Sequence, residues 1–512
     1  MEQKYQDRFA GMSLHDLDPA IKGLIDLEDE RQARRIILIP SESICPAPVR
    51  EALMSNFTNI YCEGYPPLRM TRQEEKAVLD QPWQLARYRR YADRRFYKGC
   101  DYANFIEVTA QRRAAALFAT DTIPADQIFV NVQPLSGAAA NNCVYEALCK
   151  PGDTVMGMSL THGGHLSHGS PFNRSGKRYK IISYEVDKKT ELLDYDKIAE
   201  LARLHRPKMI IAGFTSYPWA PDFRKFREIA DMVGAKLLTD VSHPAGLIVG
   251  GAYPNPIGYA DVVMFTTHKT MCGPRGAVLM TTSEELAKKI DTAVFPGEQG
   301  GPHLNKIAAM AVAFGIAATP QFKATARRMA DNAKVFVESL QKRGIRIPHG
   351  GTDTHLLLID LNSVKHGTGF KYKGEIAARI LELAGIVTNK NTIPGDNTAA
   401  DASGVRLGTP WITQRGFGPA EIDTLADLIA KIVLNIKPFE YVGLSGRLPR
   451  GKIERALLAE ARQGVADLLV VSAGKGSVYP HSQIPVEVRG SAVAAISVTG
   501  ERPAAMLQGL CT

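Results

Sequence analysis

The stretch DVVMFTTHKT, residues 261–270, joins an apolar run to a lysine, and the turn GPRG follows at 273–276. Continuous apolar runs of this kind are typical of strands buried in a parallel sheet. Lys269 would then stand at the end of a buried strand, where it can hold an amine against an aldehyde cofactor. Burial and the neighbouring groups would lower the pKa of Lys269 and make it a nucleophile near neutral pH.

A second apolar strand ends in a carboxylate 29 residues earlier, in the stretch LTDVSH at 238–243. The order strand, Asp240, strand, Lys269 is the one expected of a pyridoxal phosphate site. In such a site the aspartate meets the pyridinium nitrogen and the lysine carries the covalent link to the aldehyde. The simpler interpretation is a solvated lysine on a surface turn, and it explains neither the two strands nor Asp240.

Seven β-rich runs alternate with helical or glycine-bearing stretches in this part of the chain. They are 127–132, 153–158, 179–184, 209–214, 235–238, 262–265 and 277–280. The alternation predicts an α/β fold with a large, mostly parallel seven-stranded sheet covered on both faces. Apolar periodicity then predicts helices at 304–318 and 321–343. A smaller α+β unit follows, with a strand and two helices at 355–361, 374–384 and 420–436.

We predict four regions along the chain from this pattern. They are an N-terminal arm at 1–45, a large cofactor-binding domain at 46–330, a small C-terminal domain at 331–440 and an extra tail at 441–512. An amphipathic segment is predicted within the tail at 452–469.

The composition is that of a globular protein, with 45% hydrophobic residues and a formal charge of +9. The positive charge is concentrated in two segments. Residues 67–94 carry seven basic against four acidic residues, and residues 441–512 carry eight against five. The rest of the chain is nearly balanced, and an anionic cofactor or substrate explains local basic residues as well as RNA would. We therefore expect no nucleic acid partner.

The seven cysteines are scattered, without CxxC pairs or His/Cys clusters, so neither a zinc site nor a disulfide framework is indicated. No apolar run reaches membrane-spanning length, and residues 1–7 lack the apolar stretch of a signal peptide. We expect a soluble, cytoplasmic protein with no membrane contact and no metal.

Two further stretches could serve the cofactor. QPLSGAAAN at 133–141 follows a strand and opens an alanine-rich helix, where backbone N–H groups and the Ser136 hydroxyl could hold a phosphate. A plain helix N-cap is the alternative. THGGHLSH at 161–168 contains three histidines, which could bind a metal, but no Asp, Glu or Cys completes a ligand set nearby. A ring stacked on an aromatic cofactor would suit His165.

Six segments, in this order along the chain, resemble the signature segments of the serine hydroxymethyltransferase family. They are NVQP at 131–134, GGHLSHG at 163–169, Asp240 with HPAGL at 243–247, TTHKT at 266–270, FPGEQGGPH at 295–303 and RLGTP at 406–410. The resemblance covers roughly residues 20–440. It implies the fold-type I pyridoxal phosphate architecture, in a homodimer or dimer of dimers whose active sites lie at the subunit interface.

The resemblance also implies a role for individual residues. The catalytic residues would be Lys269, Glu63, Tyr61, His268 and Thr267. The cofactor would be bound by Ser136, Gly137, Ala138, His165, Thr215, Asp240, His243, Lys269 and, from the neighbouring subunit, Gly301. The amino acid substrate would contact Ser41, Tyr61, Glu63, Tyr97 and Arg406. The folate would contact Glu63, Leu160, Gly164, Leu166 and Asn391.

Four of these roles follow the chemistry of the side chains. Lys269 would bind the cofactor aldehyde, and His165 would stack on the ring. Arg406 would hold the substrate carboxylate, a task that its planar guanidinium suits better than an ammonium does. Glu63 would transfer protons near the folate and the serine hydroxyl, which requires a carboxyl whose pKa partial burial has raised. The implied activity is the interconversion of serine and glycine, with one-carbon transfer to tetrahydrofolate.

Three departures from the family pattern bear on folate use. An insertion at about 67–94 is either a surface helix or a lid. Phe96 replaces a usual tyrosine, and residues 398–401 replace a usual Pro-Phe pair. A folate-independent β-hydroxy amino acid aldolase or threonine transaldolase is therefore an alternative, and a catalytically silent binding subunit is another. The stretches 484–490, 494–500 and 503–510 weakly resemble the start of an aminomethyltransferase-type folate domain, although a simple extension is favoured.

Overall fold

The computed structural model describes residues 11–88, 94–443 and 446–474. The strands within these residues are β1 (Ile36–Ile37), β2 (Gly64–Tyr65), β3 (Arg94–Arg95), β4 (Phe129–Asn131), β5 (Thr154–Met158), β6 (Lys180–Tyr184), β7 (Met209–Gly213), β8 (Lys236–Asp240), β9 (Val262–Thr266), β10 (Ala277–Thr281), β11 (Leu356–Asp360), β12 (Ile386–Val387), β13 (Asn389–Asn391), β14 (Gly404–Gly408), β15 (Lys437–Gly443) and β16 (Gly446–Lys452).

Helices connect most of these strands. The α-helices are Leu14–Leu17, Pro19–Ala33, Ala47–Leu53, Glu75–Val78, Gln81–Tyr88, Asp101–Phe118, Gly137–Leu148, Arg174–Arg178, Tyr195–His205, Phe223–Val233, Ala245–Gly250, Glu284–Thr292, Leu304–Ala317, Pro320–Lys342, Gly374–Leu383, Pro410–Gln414, Pro419–Asn435 and Arg455–Gly474. Several begin at side-chain caps. Asp194 and Asp222, for example, accept hydrogen bonds from backbone N–H groups in the first turn of the helix that follows each of them.

Seven strands form the main sheet in the order β4-β10-β9-β8-β7-β5-β6. Every neighbouring pair is parallel except the two that involve β10. The predicted seven-stranded, mostly parallel α/β sheet is thus confirmed. β8 and β9 are neighbours, with Asp240 paired to Met264, so their carboxyl ends lie side by side. Ligands of open α/β sheets bind at this edge.

Two apolar cores share one long helix. In Pro320–Lys342, Phe322 and Met329 pack in the core around the main sheet, whereas Phe336 and Leu340 pack in a second core. The second core also covers the antiparallel sheet β11-β14-β13 and the parallel pair β1-β12. The predicted helices and strand of the smaller α+β unit are present, and the domain limits themselves stay predictions.

The predicted insertion at about 67–94 is more than a surface helix, because it shares a small apolar core with a neighbouring helix. Met70 and Val78 are buried against Phe105 and Val108 of the helix Asp101–Phe118. Glu75 also forms an ion pair with Arg113 of that helix, at 2.6 Å. The base of the insertion is closed by pairing of β2 with β3.

Most of the amphipathic segment predicted in the tail lies in the helix Arg455–Gly474. Its apolar side joins the second core through Ala461, Val465, Leu468 and Leu469. It follows the antiparallel hairpin of β15 and β16. The tail stretches predicted at 484–490, 494–500 and 503–510 lie outside the described residues.

Within the described residues, no single helix is long and apolar enough to cross a membrane. The helices Leu304–Ala317 and Pro320–Lys342 pass such a test only as a pair, and they are bent by 82° where they meet.

Candidate active site

Lys269 lies three residues beyond the end of β9 and is only 9% exposed. Its turn is held by the Thr267 hydroxyl, which donates to the carbonyl of Pro274 at 2.5 Å, and by the Thr270 hydroxyl, which donates to the carbonyl of His243 at 2.6 Å. Burial lowers the pKa of Lys269 to about 8, although Asp240 acts in the opposite direction. A lysine in this state supplies a neutral amine at mildly basic pH.

Asp240 ends β8 and is held by a buried hydrogen-bond network. Its Oδ2 accepts from Nε2 of His168 at 2.8 Å and from Nδ2 of Asn141 at 3.1 Å, and its Oδ1 accepts from the backbone N–H of Ser242 at 3.1 Å. Burial raises the pKa of Asp240, but the hydrogen bonds of His168 and Ser242 and the charges of His168 and His165 together outweigh it, so the pKa lies below its ordinary value. Asp240 therefore keeps its negative charge.

His165 has a fixed ring in the same network. Its Nδ1 accepts from the backbone N–H of Ser167 at 3.2 Å and lies 2.7 Å from the Ser167 hydroxyl. Burial, followed by the charge of His168, lowers the pKa of His165 to about 4, so the ring is neutral at physiological pH. A neutral imidazole can lie flat on an aromatic cofactor without a charge penalty.

The predicted phosphate residues Ser136, Gly137 and Ala138 form the N-terminus of the helix Gly137–Leu148. The Ser136 hydroxyl caps it by accepting from the backbone N–H of Ala139 at 3.4 Å. A Cβ at Gly137 would meet the Thr266 side chain at 2.8 Å, so only glycine lets the helix start this close to β9. The helix N-terminus and the Lys269 turn therefore adjoin one another, as a phosphate and an aldehyde on one ring require.

Sequence reasoning missed the support beneath this helix start. Lys306 is buried, and its Nζ donates to the carbonyls of Gln133 at 3.0 Å and Pro134 at 2.9 Å. Burial lowers the pKa of Lys306 to about 7. The side chain of Gln299 accepts from the backbone N–H of Leu135 at 2.9 Å and so ties down the same loop.

Arg406 lies on β14 and joins the smaller unit to the main sheet. Its Nη1 donates to the carbonyl of Thr215 at 2.6 Å, and its Nε donates to Oδ1 of Asn389 at 3.3 Å. Its Nη2 makes no hydrogen bond to the described part of the chain, and burial lowers the pKa of Arg406 to about 10. The Thr215 hydroxyl in turn donates to the carbonyls of Gly163 and Gly164 at 3.2 and 3.1 Å.

Three further histidines and the Ser41 segment surround Lys269. His243 stacks on His355 with ring centroids 5.5 Å apart, and burial lowers the pKa of both rings. Burial also lowers the pKa of His268 to about 3, and its backbone carbonyl accepts from the Ser43 hydroxyl at 3.0 Å. This last bond fixes the segment that carries Ser41 next to the lysine turn.

Electrostatic interactions show that these groups belong together. Lys269 and Arg406 each help to lower the pKa of His165 and of His243, and Asp240 acts on both Lys269 and His165. We call Lys269, Asp240, His165, His243 and Arg406 the buried cluster.

A second group, which we call the exposed cluster, consists of Tyr61, Glu63, Tyr97 and Gly301. The Tyr61 hydroxyl donates to Oε1 of Glu63 at 3.1 Å, and the Tyr61 and Tyr97 rings meet edge to face with centroids 4.9 Å apart. A Cβ at Gly301 would touch the Tyr61 ring at 3.2 Å. Tyr61 is 56% exposed.

The structure does not bring the two clusters together within one chain. Across the described ranges, no hydrogen bond or ring contact joins the exposed cluster to Lys269. The charges that act on Lys269 come from Asp240, Arg406 and Arg275, and Glu63 is not among them.

The residues predicted to contact folate lie on loops and one short strand. Leu160 and Leu166 each begin a single helical turn, and the Leu166 side chain is exposed. A Cβ at Gly164 would clash with the carbonyl of Met158, and Asn391 donates to the carbonyl of Thr392 at 2.7 Å. Their folate role stays a prediction. Over the described residues, no three His, Cys, Asp or Glu side chains are grouped as metal ligands.

The buried cluster matches each part of pyridoxal phosphate. Lys269 offers an amine for the aldehyde, Asp240 a negative charge for the ring nitrogen and His165 a neutral face for the ring. The helix that begins after Ser136 offers N–H groups for the phosphate. Placed at the carboxyl edge of a mostly parallel seven-stranded sheet, these groups define the class of fold-type I pyridoxal phosphate enzymes.

Comparison with known proteins narrows the class to one family. The family model for serine hydroxymethyltransferase matches residues 14–90 and 86–429. A serine hydroxymethyltransferase from a Cyanothece strain is 42% identical over 475 residues, which cover 92% of this chain and 98% of the relative. One from Leptospira biflexa is 45% identical over 413 residues, covering 80% of this chain and 90% of the relative.

The chain belongs to the serine hydroxymethyltransferase family. The two segments matched by the family model meet at residues 86–90, inside the predicted insertion.

Proposed function

We propose that this enzyme interconverts serine and glycine with bound pyridoxal phosphate and transfers the one-carbon unit to tetrahydrofolate. The observation that carries the proposal is the presence of Lys269 and Arg406 in the same buried cluster. The pKa of Lys269 is lowered, and Nη2 of Arg406 makes no hydrogen bond to the described part of the chain. The first suits an aldehyde, and the second suits the carboxylate of an α-amino acid.

Residues of the site would have two tasks, which are to bind the cofactor and substrate and to polarise the cofactor ring. Bound pyridoxal phosphate supplies an electron sink for bonds at the amino acid Cα. Asp240 would hold a proton on the ring nitrogen through its negative charge, and Ser136 and the following N–H groups would hold the phosphate. Arg406 would bind the substrate carboxylate and so orient the amino acid beside Lys269.

We infer that the exposed cluster completes the site of a neighbouring subunit in a homodimer or dimer of dimers. Glu63, held by Tyr61, would move a proton to or from the serine hydroxyl, and Tyr97 would contact the substrate. Gly301 would approach the phosphate of the partner's site. The support is the exposure of Tyr61 and the separation of Glu63 from Lys269 within one chain. We place this activity in the cytoplasm.

One observation favours a second candidate, a folate-independent aldolase or threonine transaldolase. Phe96 is 74% exposed and packs edge to face on Phe295, with ring centroids 5.6 Å apart. Its ring offers no hydroxyl to a folate. The departures at residues 398–401 and the predicted insertion also favour this second candidate.

The test is to follow serine consumption and glycine formation by the cofactor-loaded enzyme, with and without tetrahydrofolate. We expect glycine formation from serine to require tetrahydrofolate. Equal rates with and without it, or faster cleavage of threonine than of serine, would favour the aldolase. The Lys269→Ala variant should lose the visible absorbance of the covalently bound cofactor, whereas the surface variant Lys208→Ala should keep it. Unchanged absorbance in Lys269→Ala would overturn the assignment.

A further inference from the structure

A cavity of about 480 Å³ lies between the insertion and the edge of the main sheet. Leu68, Arg72 and Arg94 line it on one side, and Phe129 of β4 and Leu279 of β10 line it on the other. The helix Glu284–Thr292 closes the end. No residue of the buried or exposed cluster lines this cavity, so it is separate from the candidate active site. Its volume falls in the range of small-molecule sites.

The walls of the cavity are fixed in place. Arg72 donates to the carbonyl of Asp126 at 2.7 Å, and its guanidinium lies 3.6 Å from the centroid of the Phe129 ring. The Tyr65 hydroxyl donates to the carbonyl of Asp291 at 2.5 Å. With Met70 and Val78 buried behind it, the insertion provides a preformed wall. A preformed cavity needs little ordering of the protein when a ligand binds.

The charges around the cavity are strongly unequal. Arg69, Arg72, Arg94, Arg112 and Lys288 face two acids, Glu284 and Asp291. Glu284 is already paired with Lys288 at 2.8 Å. Asp291 accepts from the side chain of Asn131 at 2.8 Å, and burial raises its pKa to about 6, so that it stays mostly ionised at neutral pH.

Three of the arginines form no ion pair among the described residues, although Asp291 acts on Arg94, and Glu284 on Arg72, through their charges. Arg72, Arg94 and Arg112 donate to main-chain carbonyls, of Asp126, Pro66 and Ala125 respectively. Among the described residues, none of the three has an acidic side chain within ion-pairing distance. Burial lowers the pKa of Arg72 and of Arg94, which shows that both guanidinium groups are partly removed from water. Charges in such surroundings attract an anion more strongly than solvated ones.

We propose that this cavity binds a small organic oxyanion with at least two negative charges. Its phosphate or carboxylate groups would be held by Arg72, Arg94 and Arg112, and its apolar part would lie on Leu68, Ile128 and Leu279. Planar guanidinium groups bind both kinds of oxyanion through paired hydrogen bonds. The site does not depend on the proposed enzyme activity.

The experiment is a calorimetric titration of the cofactor-loaded, full-length protein, so that the phosphate position of the active site is already filled. The probes are inorganic phosphate, inorganic pyrophosphate, citrate and AMP. Binding of pyrophosphate and AMP but not of citrate would identify a phosphate site, and the reverse a carboxylate site. Tighter binding of AMP than of inorganic phosphate would show that the apolar wall contributes.

Two variants test the lining residues, and for both the measurement is the heat of probe binding rather than turnover. The double variant Arg72→Gln/Arg94→Gln should bind the preferred probe at least about tenfold more weakly, while the surface variant Arg224→Gln should bind as the parent does. Asp291→Asn removes a repelling charge and should bind severalfold more tightly. No heat from any probe at millimolar concentration, or equal affinity in the double variant and the parent, would overturn the proposal.

Discussion

The buried cluster and the exposed cluster contrast within one chain. In the buried cluster, Asp240, His165 and Arg406 are each held by hydrogen bonds to neighbouring residues, and burial lowers the pKa of Lys269, His165 and Arg406. In the exposed cluster, by contrast, Tyr61 is open to solvent. Groups that depend on a low dielectric therefore lie buried within one chain, whereas under the proposed function Glu63 would be covered by a second subunit before it transfers a proton.

The largest expected effect is on turnover, when one residue of each cluster is changed and the two variants are then combined in one heterodimer. Lys269→Ala and Glu63→Ala should each lower turnover by about a thousandfold when all subunits carry the same change. Heterodimers of the two variants, isolated with two affinity tags, should regain about half of the parent activity, because one of their two sites carries neither change. Turnover of serine is the measurement.

If activity did not recover, the proposed division of one active site between two subunits would be wrong. Heterodimers that stay inactive would show that Lys269 and Glu63 act from the same subunit. The matched control is a heterodimer of Lys269→Ala with Lys208→Ala, which should give about half of the activity whichever subunit supplies Glu63.

A second, smaller effect is expected from the charge of Asp240. Asp240→Asn keeps the shape of the side chain but removes the negative charge that we propose faces the ring nitrogen. Turnover should fall by about a hundred- to a thousandfold, with the cofactor still bound. The visible spectrum reports binding, and steady-state kinetics reports turnover. If turnover were unchanged, the network of His168 and Asn141 would have only a structural role.

Substitution of Arg406 should act on substrate binding more than on turnover. Arg406→Lys keeps the charge but loses the paired hydrogen bonds, so the KM for serine should rise about ten- to a hundredfold. The visible spectrum without substrate should not change. A fall in kcat at constant KM would instead assign Arg406 to the chemical step.

The smallest effect concerns pH. Burial lowers the pKa of Lys269 from 10.5 to about 8, and only the neutral amine attacks the cofactor aldehyde. The rate at which the cofactor-free enzyme binds pyridoxal phosphate should therefore rise about tenfold per pH unit below pH 8 and level off above it. Rapid mixing over a range of pH measures this. A rate that keeps rising to pH 10 would mean that Lys269 behaves as an ordinary lysine.

The strands and the strand-end residues could be predicted because their signals are local. β9 is a nearly continuous apolar run and β8 contains Leu237 and Leu238; Asp240 is the last residue of β8, and Lys269 lies three residues beyond β9. The helix start after Ser136 is equally local, since a hydroxyl and small residues stand together in the sequence.

The supporting contacts could not be predicted, because they join distant parts of the chain. His168 and Asn141 meet Asp240 across 72 and 99 residues, and Lys306 reaches the loop at Gln133 across 173. The only sequence signal was the third histidine of the 161–168 stretch. The buried side of the insertion was missed because helices as short as Glu75–Val78 are too brief to show a period.

The helix Pro320–Lys342 carries a consequence for how the molecule unfolds. Met329 belongs to one core and Phe336 to the other, so unfolding of either core would remove apolar contacts from this shared helix. The two cores should lose structure in one cooperative step, with the amides near the middle of this helix among the slowest to exchange with solvent. The relative position of Arg406 and Lys269 is then maintained by the stability of the whole fold.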